Sequence, residues 1–415
     1  MKELKDKSKL KKMNIAMIVN HSLNTVISVF VSTFLISYIY TISGNYIRDI
    51  ALFYCFNFLS MGIFYYIVSV LIDKTDRVTF YRFAILIRAV FILIVIFLGK
   101  NLANYVILSG ILHGFSEACY WGSYNLMKNE LVSKHAVDKY SMLQYLMKNA
   151  VTIIIPLIFG KIIDIKSFKV CTIIVFVVAI IELIFSIFIN SKRPENASFK
   201  FGEYCSHVKN LGSKKKFVVL LIVISCVYGL SSIISPLNTI LIMLSFDSNF
   251  SLGILTSVFA LMTMVMLIVF KRFTKLGKRN YFYIIFSIIP IVAMALLFVN
   301  VNRKTVVLFS FSYYLSTILY TYSYDIMRNL LFKKLNLYDD IAEFQCSIEL
   351  AMEFARVVIF VILAIVGIVV IEINADKLTG VIKILSGLSL LIVTAMNIGV
   401  MIYEKQFKKE ILLED

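Results

Sequence analysis

Four side chains that can bind or share a proton lie along one face of an apolar stretch at residues 103–127. They are His113, Glu117, Tyr120 and Tyr124. On an α-helix, the spacing i, i+4, i+7 and i+11 places all four within about 60° of one another. Glu117 can take up and release a proton and His113 can share it, so both are candidates for proton coupling. The alternative is a satisfied pair that only joins helices.

A second stripe follows from the first by an offset of 200 residues and consists of neutral groups. Its members are Tyr313, Thr317, Tyr320 and Tyr324. The two stripes present hydroxyl groups at matching positions. We therefore expect both faces to line a pathway for a substrate.

A third candidate set lies in the first apolar stretch, about two turns inside its amino-terminal boundary. Asn20, His21 and Asn24 can hydrogen-bond a substrate from adjacent faces of one helix. Hydrogen bonds between neighbouring helices explain the same residues equally well, and these contribute about 0.6 kcal/mol each on average. The sequence leaves both interpretations open.

Charged residues also recur on one face of the stretch at residues 343–371. Glu349, Glu353 and Arg356 are spaced i, i+4 and i+7, and the last two are placed for an intrahelical pair. Lys148 is the counterpart of Glu353 in the first half of the chain. The set is either a gate of ion pairs between the halves or a static pair that neutralises buried charge; we favour the static pair.

Two more charges lie within apolar stretches and show no comparable pattern. They are Arg88 and Glu182. A long side chain near a membrane surface can bury its stem and keep its charged end in water. We interpret both residues as near-interface or packing charges.

The elements that position these residues must be membrane-spanning helices. The chain has 415 residues, of which 60% are hydrophobic and 16% charged, and its mean hydropathy is +0.86. Stretches of eighteen or more apolar residues need a bilayer as solvent. We count twelve, which predicts an all-α membrane protein with twelve transmembrane helices. The stretches lie near 13–40, 50–70, 82–99, 103–127, 141–163, 169–190, 217–245, 249–270, 281–300, 305–327, 343–371 and 380–403.

The formal charge of +17 is unevenly distributed along the chain. If both termini are cytoplasmic, 30 of the 42 Lys and Arg residues lie on the cytoplasmic side, 9 lie outside and 3 lie within spans. The positive-inside rule then orients a multi-pass protein of the cell membrane. This distribution accounts for the basic composition, so we expect no nucleic-acid partner.

Motifs for catalysis or metal binding do not occur in the sequence. It lacks a phosphate-binding lysine loop, an H-E-x-x-H pattern and any clustered Cys and His. The six cysteines are scattered. We expect no enzyme activity, metal or cofactor, because a membrane transferase or protease would need a nucleophile and base that we do not find.

The two halves of the chain repeat one another. SYNLMKN at 123–129 returns as SYDIMRN at 323–329, with four of seven positions identical. Because the repeat spans an even number of helices, the halves have parallel topology and a pseudo-two-fold axis along the membrane normal. We expect a six-helix bundle at 1–190, a cytoplasmic linker at 191–216 and a second bundle at 217–415.

The loop after the second stretch reads SVLIDKTDR at residues 69–77. It resembles the G-x-L-x-D-[RK]-x-G-[RK] pattern of the major facilitator superfamily (MFS). Asp73 and Arg77 match this pattern, whereas Ser69 and Asp76 replace its glycines. The resemblance implies two six-helix halves that rock to give alternating access, with helices 1, 4, 7 and 10 lining the pathway.

The same resemblance implies a conformational latch at cytoplasmic helix ends. Asp73 with Arg77 would form one part, and Asp325 with Arg328 another; for Asp73 the alternative is an ordinary solvated turn. The sequences LSGILHGFSEACYWGSYN and VFVSTFLISYIY also resemble the YQGE-type transporter subgroup of the superfamily. This finer resemblance names no substrate.

Together these features predict a secondary active transporter of a small organic solute. We expect proton coupling, and the resemblance favours efflux over uptake. The partners expected are the lipid bilayer, the solute and protons, and we expect a monomer. The alternative is a receptor or immunity-type membrane protein that binds its ligand without moving it.

Overall fold

The computed structural model describes most of the chain. The described residues are 2–44, 46–72, 74–131, 137–190, 199–273, 280–335, 337, 340–371 and 375–409. Within them every regular element is a helix. The all-α prediction is therefore confirmed.

The first part of the chain forms seven α-helices. A π-helical segment, Phe30–Leu35, joins the first two into one continuous rod, and a 3-10 segment, Gly99–Tyr105, precedes the fifth. The helices are α1 Lys2–Val29, α2 Ile36–Ile42, α3 Ile47–Ile72, α4 Arg77–Leu98, α5 Val106–Leu131, α6 Val137–Ile165 and α7 Phe168–Ser186.

The second part forms eight more α-helices. Helices α8 and α10 are each too short to cross a membrane alone, and α9 with α10 covers one predicted stretch. The helices are α8 Phe201–Asn210, α9 Lys215–Ser231, α10 Ile234–Phe246, α11 Asn249–Phe273, α12 Asn280–Val299, α13 Arg303–Lys334, α14 Ile341–Ile371 and α15 Ala375–Phe407.

Each of the twelve predicted spans corresponds to a helical segment. Ten segments of the described chain are long and apolar enough to cross a membrane, and one of them, Arg77–Lys128, covers two predicted spans. The predicted span at 305–327 lies within α13, a helix of 32 residues. The twelve-helix membrane fold follows from this correspondence.

The helices pack as two compact units. The first contains Met1–Phe199 and Ser248–Ser257. The second contains Lys200–Asp247 and Val258–Asp415. The first turns of α11 therefore belong to the first unit, whereas the predicted boundaries placed all of α11 in the second bundle.

The predicted linker at 191–216 contains α8, which packs within the second unit against the start of α14. The Tyr204 hydroxyl lies 3.2 Å from Ser347 Oγ, and burial raises the pKa of Tyr204 to about 12. His207 Nδ1 lies 2.5 Å from Asp340 Oδ2. The described part of the linker is therefore folded onto its bundle.

Helices α3 and α5 pack unusually closely in the first unit. Gly110 and Gly114 form a G-x-x-x-G pattern, the small-residue spacing that lets membrane helices approach each other. A Cβ atom on Gly114 would lie 2.0 Å from the Asn57 carbonyl oxygen, and one on Gly110 would lie 2.4 Å from the Phe53 carbonyl oxygen. The backbones are in contact at both positions, which fixes the placement of α5.

The amino terminus of α11 is capped by a carboxylate from α6. Asp164 accepts hydrogen bonds from the backbone N–H groups of Asn249 and Phe250, at 3.2 and 2.9 Å. It also accepts from Ser248 Oγ at 2.8 Å. The first N–H groups of a helix have no partners within the helix, and an anion near them is favourable. Asp164 therefore fixes the start of α11 against α6.

Replacing this carboxylate should weaken the contact. We expect Asp164→Ala to lower the free energy of unfolding by about 1 kcal/mol, the typical loss for a missing helix cap. Denaturant unfolding in detergent measures the change. Asp164→Asn should lose less because one acceptor oxygen remains, and Lys161→Ala, an exposed change one turn earlier on α6, should have no effect. An Asp164→Ala protein as stable as the Lys161→Ala control would show that the cap does not contribute.

Candidate functional site

A buried arginine on α4 is the centre of the main polar cluster in the first unit. Arg88 is 1% exposed. Its Nη2 donates to Glu117 Oε1 on α5 at 2.9 Å, and its Nη1 donates to Glu182 Oε1 on α7 at 3.3 Å. Three helices are therefore joined by one guanidinium. We call these three residues the charge triad.

The charges of the triad do not balance when both carboxylates are ionised. One guanidinium then faces two carboxylates, which leaves a single excess negative charge among buried groups. Such a charge is unfavourable unless a proton or another cation neutralises it. Glu182 is 0% exposed, so the charge at that position is out of reach of solvent.

Glu117 is the accessible member of the triad. Its side chain keeps 14% of its surface exposed, whereas Arg88 keeps 1% and Glu182 none. Its second oxygen, Oε2, accepts a hydrogen bond from Trp121 Nε1 at 2.9 Å. Trp121 itself is half-buried. Glu117 and Trp121 are therefore the part of this cluster that the protein does not fully enclose.

His113 forms no hydrogen bond with Glu117, which corrects the predicted pair. Its Nδ1 lies 2.8 Å from Asn57 Oδ1 on α3. The rings of Phe91 and Phe53 flank it at 5.2 and 6.1 Å. One turn of helix separates His113 from Glu117, and that step turns the two side chains toward different neighbouring helices.

Aromatic rings enclose the triad on the side of α1. His21 Nδ1 lies 2.9 Å from the Tyr120 hydroxyl, and its ring stacks on Tyr124 at 4.8 Å. The Arg88 guanidinium lies 4.7 Å from the centre of the Tyr120 ring, a cation–π distance. The Tyr124 hydroxyl lies 3.2 Å from that of Tyr140. The structure thus brings together three of the predicted pathway residues: His21, Tyr120 and Tyr124.

The two asparagines of the first helix are almost completely buried, whereas we expected them to line a pathway. Asn20 is 0% exposed and Asn24 is 2% exposed. With its amide oriented to satisfy both groups, Asn20 donates to the Glu182 carbonyl at 3.1 Å and accepts from Ser186 N at 3.0 Å. Asn24 Oδ1 finds no hydrogen-bond partner within the described chain. Asn20 therefore joins α1 to α7.

The stripe in the second unit is partly described. Tyr313 and Thr317 are half-buried, and Thr317 donates to the Tyr314 carbonyl at 3.1 Å. The side chain of Tyr320 lies outside the described part. Tyr324 is buried, and its hydroxyl lies 2.6 Å from Ser225 Oγ on α9.

Each unit contains a tyrosine that hydrogen-bonds its first helix, although the two tyrosines lie one helical turn apart in the repeat, since Tyr324 corresponds to Tyr124. His21 of α1 bonds the Tyr120 hydroxyl of α5, and Ser225 of α9 bonds the Tyr324 hydroxyl of α13. Both pairs are separated by 99 residues. The tyrosine bridge therefore links equivalent helices in each half, in agreement with the repeat seen in the sequence.

The charged face of α14 contains an intrahelical pair. Arg356 Nη1 donates to the buried Glu353 carboxylate, the partner that the i, i+3 spacing favours. Glu349 is half-buried on the same helix. Lys148 on α6 is exposed. Lys148 and Glu353 therefore occupy counterpart positions in the two halves but differ in burial, since Lys148 is exposed and Glu353 is buried.

The predicted latch residues are only partly within the described chain. Asp73 and the side chain of Asp325 lie outside it. Arg77 is buried, and its Nη1 donates to the Leu126 carbonyl at 3.4 Å. The Arg328 guanidinium lies 5.8 Å from the Tyr324 ring. The latch itself stays a prediction.

The interpretation of Arg88 and Glu182 as near-interface charges was wrong, whereas the alternative of packing charges agrees with their burial. Both are buried, and they form an ion pair with each other. A signal for this existed in the sequence, because a charge deep in an apolar stretch needs a partner of opposite sign. Trp121 was also missed, although it lies one turn after Glu117. Among the described residues, no group of three or more His, Cys, Asp or Glu side chains is placed to hold a metal ion.

Comparison with known proteins places these features in a family. A model described as the Major Facilitator Superfamily matches residues 13–339. An uncharacterized protein, YqgE from Bacillus subtilis (strain 168), is 26% identical over 133 residues, which are 32% of this chain and 31% of that protein. The aligned part is thus less than one third of either protein.

Solved structures show the same fold over nearly the whole chain. A bacterial homologue of the iron transporter ferroportin in an inward-facing state has 12% identity and a TM-score of 0.69, and the match covers 96% of this chain and 98% of that one. A point mutant of the nucleoside transporter NupG has 16% identity and a TM-score of 0.67, with 94% and 99% covered. The chain is a multi-pass membrane protein that belongs to the Major Facilitator Superfamily of transporters.

Proposed function

We propose that the protein is a secondary active transporter that couples movement of a small organic solute to protons. It would act as a monomer, by alternating access. The observation that carries the proposal is the charge triad, in which two carboxylates share one buried guanidinium and one of them, Glu117, keeps partial exposure.

The proposed coupling follows from the charge balance of the triad. A proton on Glu117 would leave Arg88 paired one to one with Glu182. Loss of that proton would restore competition of the two carboxylates for the same guanidinium. Protonation of the partly exposed Glu117 carboxylate would therefore change the interactions among α4, α5 and α7, and a solute that prefers one arrangement would be coupled to the proton.

The solute would bind beside the triad, where Trp121 and Glu117 keep part of their surface exposed. An indole face and a carboxylate can together contact a ring and a polar group. Few polar groups with many aromatic ones are typical of small-molecule sites. This supports an organic solute rather than a simple ion.

Replacement of the Glu117 carboxylate should uncouple solute movement from proton movement. In liposomes with an imposed pH gradient and an internal pH dye, we expect solutes from a panel to trigger proton flux. Glu117→Gln should reduce that flux at least tenfold, because a glutamine cannot take up a proton. Glu203→Gln, the same change in an exposed glutamate of α8, is the control.

Two other outcomes would argue against the proposal. If solutes bind to the protein but none crosses the membrane, the receptor or immunity-type alternative is favoured. If solutes are transported and Glu117→Gln keeps the proton dependence of wild type, the coupling group lies elsewhere.

Direction and orientation complete the proposal. We propose efflux, on the strength of the family resemblance, and cell-membrane insertion with both termini cytoplasmic. The orientation is supported by the count of 30 Lys and Arg on one side and 9 on the other. Solute accumulation in inverted vesicles, but not in right-side-out vesicles, is the result expected for efflux.

A further inference from the structure

We propose that a cleft between the end of α10 and the first turns of α13 binds the headgroup of an anionic phospholipid. The cleft is shallow and open on one side, with a volume of about 470 Å³. Its lining residues are Phe246, Arg303, Lys304, Val307, Leu308 and Phe311. All of them belong to the second unit.

The lining residues of α13 are ordered by polarity along the helix. Arg303 and Lys304 form its first turn, and both are exposed. Val307, Leu308 and Phe311 follow one and two turns further into the span, on the same side of the helix by their spacing. The cleft is therefore cationic at the membrane boundary and apolar below it. That order matches an anionic headgroup with a hydrocarbon chain attached.

The two cations of the cleft are available to a ligand. Arg303 Nε donates to the Ser245 carbonyl at 3.1 Å, and its guanidinium lies 5.4 Å from the Phe246 ring. These contacts orient the guanidinium without neutralising it. Within the described chain neither Arg303 nor Lys304 forms an ion pair, and this includes Asp247, next to Phe246 in sequence.

At the start of α13, the backbone N–H groups of Lys304 and Thr305 already have an acceptor. Asn302 Oδ1 accepts from Lys304 N at 2.9 Å and from Thr305 N at 3.1 Å. A phosphate would therefore be held by the side chains of Arg303 and Lys304 and not by free N–H groups of the helix terminus. Replacing those two side chains is consequently sufficient to test the site.

The apolar wall favours a lipid over a soluble anion. Leu308 is 38% exposed, and Val307 and Phe311 are half-buried. Free phosphate would contact only the two cations, whereas a phospholipid can also place the first carbons of an acyl chain against this surface by van der Waals packing. A zwitterionic lipid has no net charge to balance the two cations.

Native mass spectrometry of the purified full chain measures the binding directly. We expect saturable binding of phosphatidylglycerol that Arg303→Gln with Lys304→Gln weakens about thirtyfold, since each cation contributes about 1 kcal/mol toward anionic lipid. Phosphatidylcholine binding should not change. The control is Lys161→Gln with Lys169→Gln, which removes the same charge from exposed lysines outside the cleft. It should alter phosphatidylglycerol binding less than twofold.

A further variant tests the acyl-chain contact separately from the headgroup contact. Leu308→Gln keeps both cations and should weaken phosphatidylglycerol binding, because the acyl contact is lost. If the cleft variant and the control variant lose equal affinity for phosphatidylglycerol, the lipid is attracted by surface charge in general, and the proposal is overturned. Displacement of the lipid by equimolar glycerol phosphate would overturn it too, since the cleft would then recognise the anion alone. Unchanged thermal unfolding of each variant confirms that loss of binding is not loss of fold.

Discussion

Arg88→Gln is expected to lower the free energy of unfolding by about 3–5 kcal/mol, the usual loss when one partner of a buried ion pair is removed. The guanidinium is 1% exposed and is the cation shared by Glu117 and Glu182. Without it, two carboxylates remain in a buried site. Denaturant unfolding in detergent micelles measures the loss.

The double variant Arg88→Gln with Glu182→Gln isolates the cause. Removing the fully buried carboxylate together with the guanidinium should recover a large part of the lost stability, because one uncompensated charge disappears. Lys148→Gln is the matched control, since this lysine is exposed on α6 and should tolerate the change. An Arg88→Gln protein within about 1 kcal/mol of wild type would falsify the assignment of a buried ion pair.

Gly114→Ala is expected to destabilise the protein by about 3 kcal/mol or more, at the upper end of overpacking effects. The added Cβ would lie 2.0 Å from the Asn57 carbonyl oxygen and 2.9 Å from its carbonyl carbon. Both atoms belong to the backbone of α3, so no rotamer change can relieve the clash. The helices must separate, which also disturbs the hydrogen bond from His113 Nδ1 to Asn57 Oδ1.

The control substitution is expected to change stability in the opposite direction. Gly399 lies within α15, and a Cβ added there would meet nothing within 4 Å. Gly399→Ala should therefore stabilise the helix by about 0.5–1 kcal/mol, through the lower conformational entropy of alanine. Unfolding midpoints of the two variants on opposite sides of wild type are the expected result. Equal midpoints would mean that the α3–α5 contact is looser than described.

The helices could be predicted because the signal for each is local. An apolar stretch of about twenty residues must be helical to satisfy its backbone in lipid, whatever surrounds it. The faces could be predicted for the same reason, since helix geometry places Glu117 and Tyr120 on one side. Both side chains do point into the interior of the first unit, toward Arg88 and His21.

The partners of those faces could not be predicted, because they depend on which helices become neighbours. Sequence spacing favoured His113 as the partner of Glu117. The structure supplies Arg88 from α4 instead, and gives His113 to Asn57 on α3. The G-x-x-x-G pattern at Gly110 and Gly114 was visible in the sequence, but nothing in it identified α3 as the helix that packs there.

The cap on α11 could not be predicted from the sequence either. Asp164 and Asn249 are 85 residues apart, and their contact depends on the placement of α6 beside α11. A carboxylate at a helix end is typical of a solvated turn when only its neighbours in sequence are known. Helix α8 within the predicted linker could not be predicted for the same reason, because its contacts with α14 depend on the tertiary fold.

The π-helical segment Phe30–Leu35 matters for how this protein is compared with its relatives. A π-turn accommodates one residue more than an α-turn, so it often arises where a single residue has been inserted into an α-helix. Residues before it, such as His21, and residues after it, such as Ser37, therefore follow different helical registers. Ser37 donates to Asn249 Oδ1 at 3.2 Å from the later register. In comparison with a relative whose first helix is α-helical throughout, a one-residue gap within 30–35 would keep the helix faces on both sides in register, whereas an ungapped alignment would rotate one of them out of place.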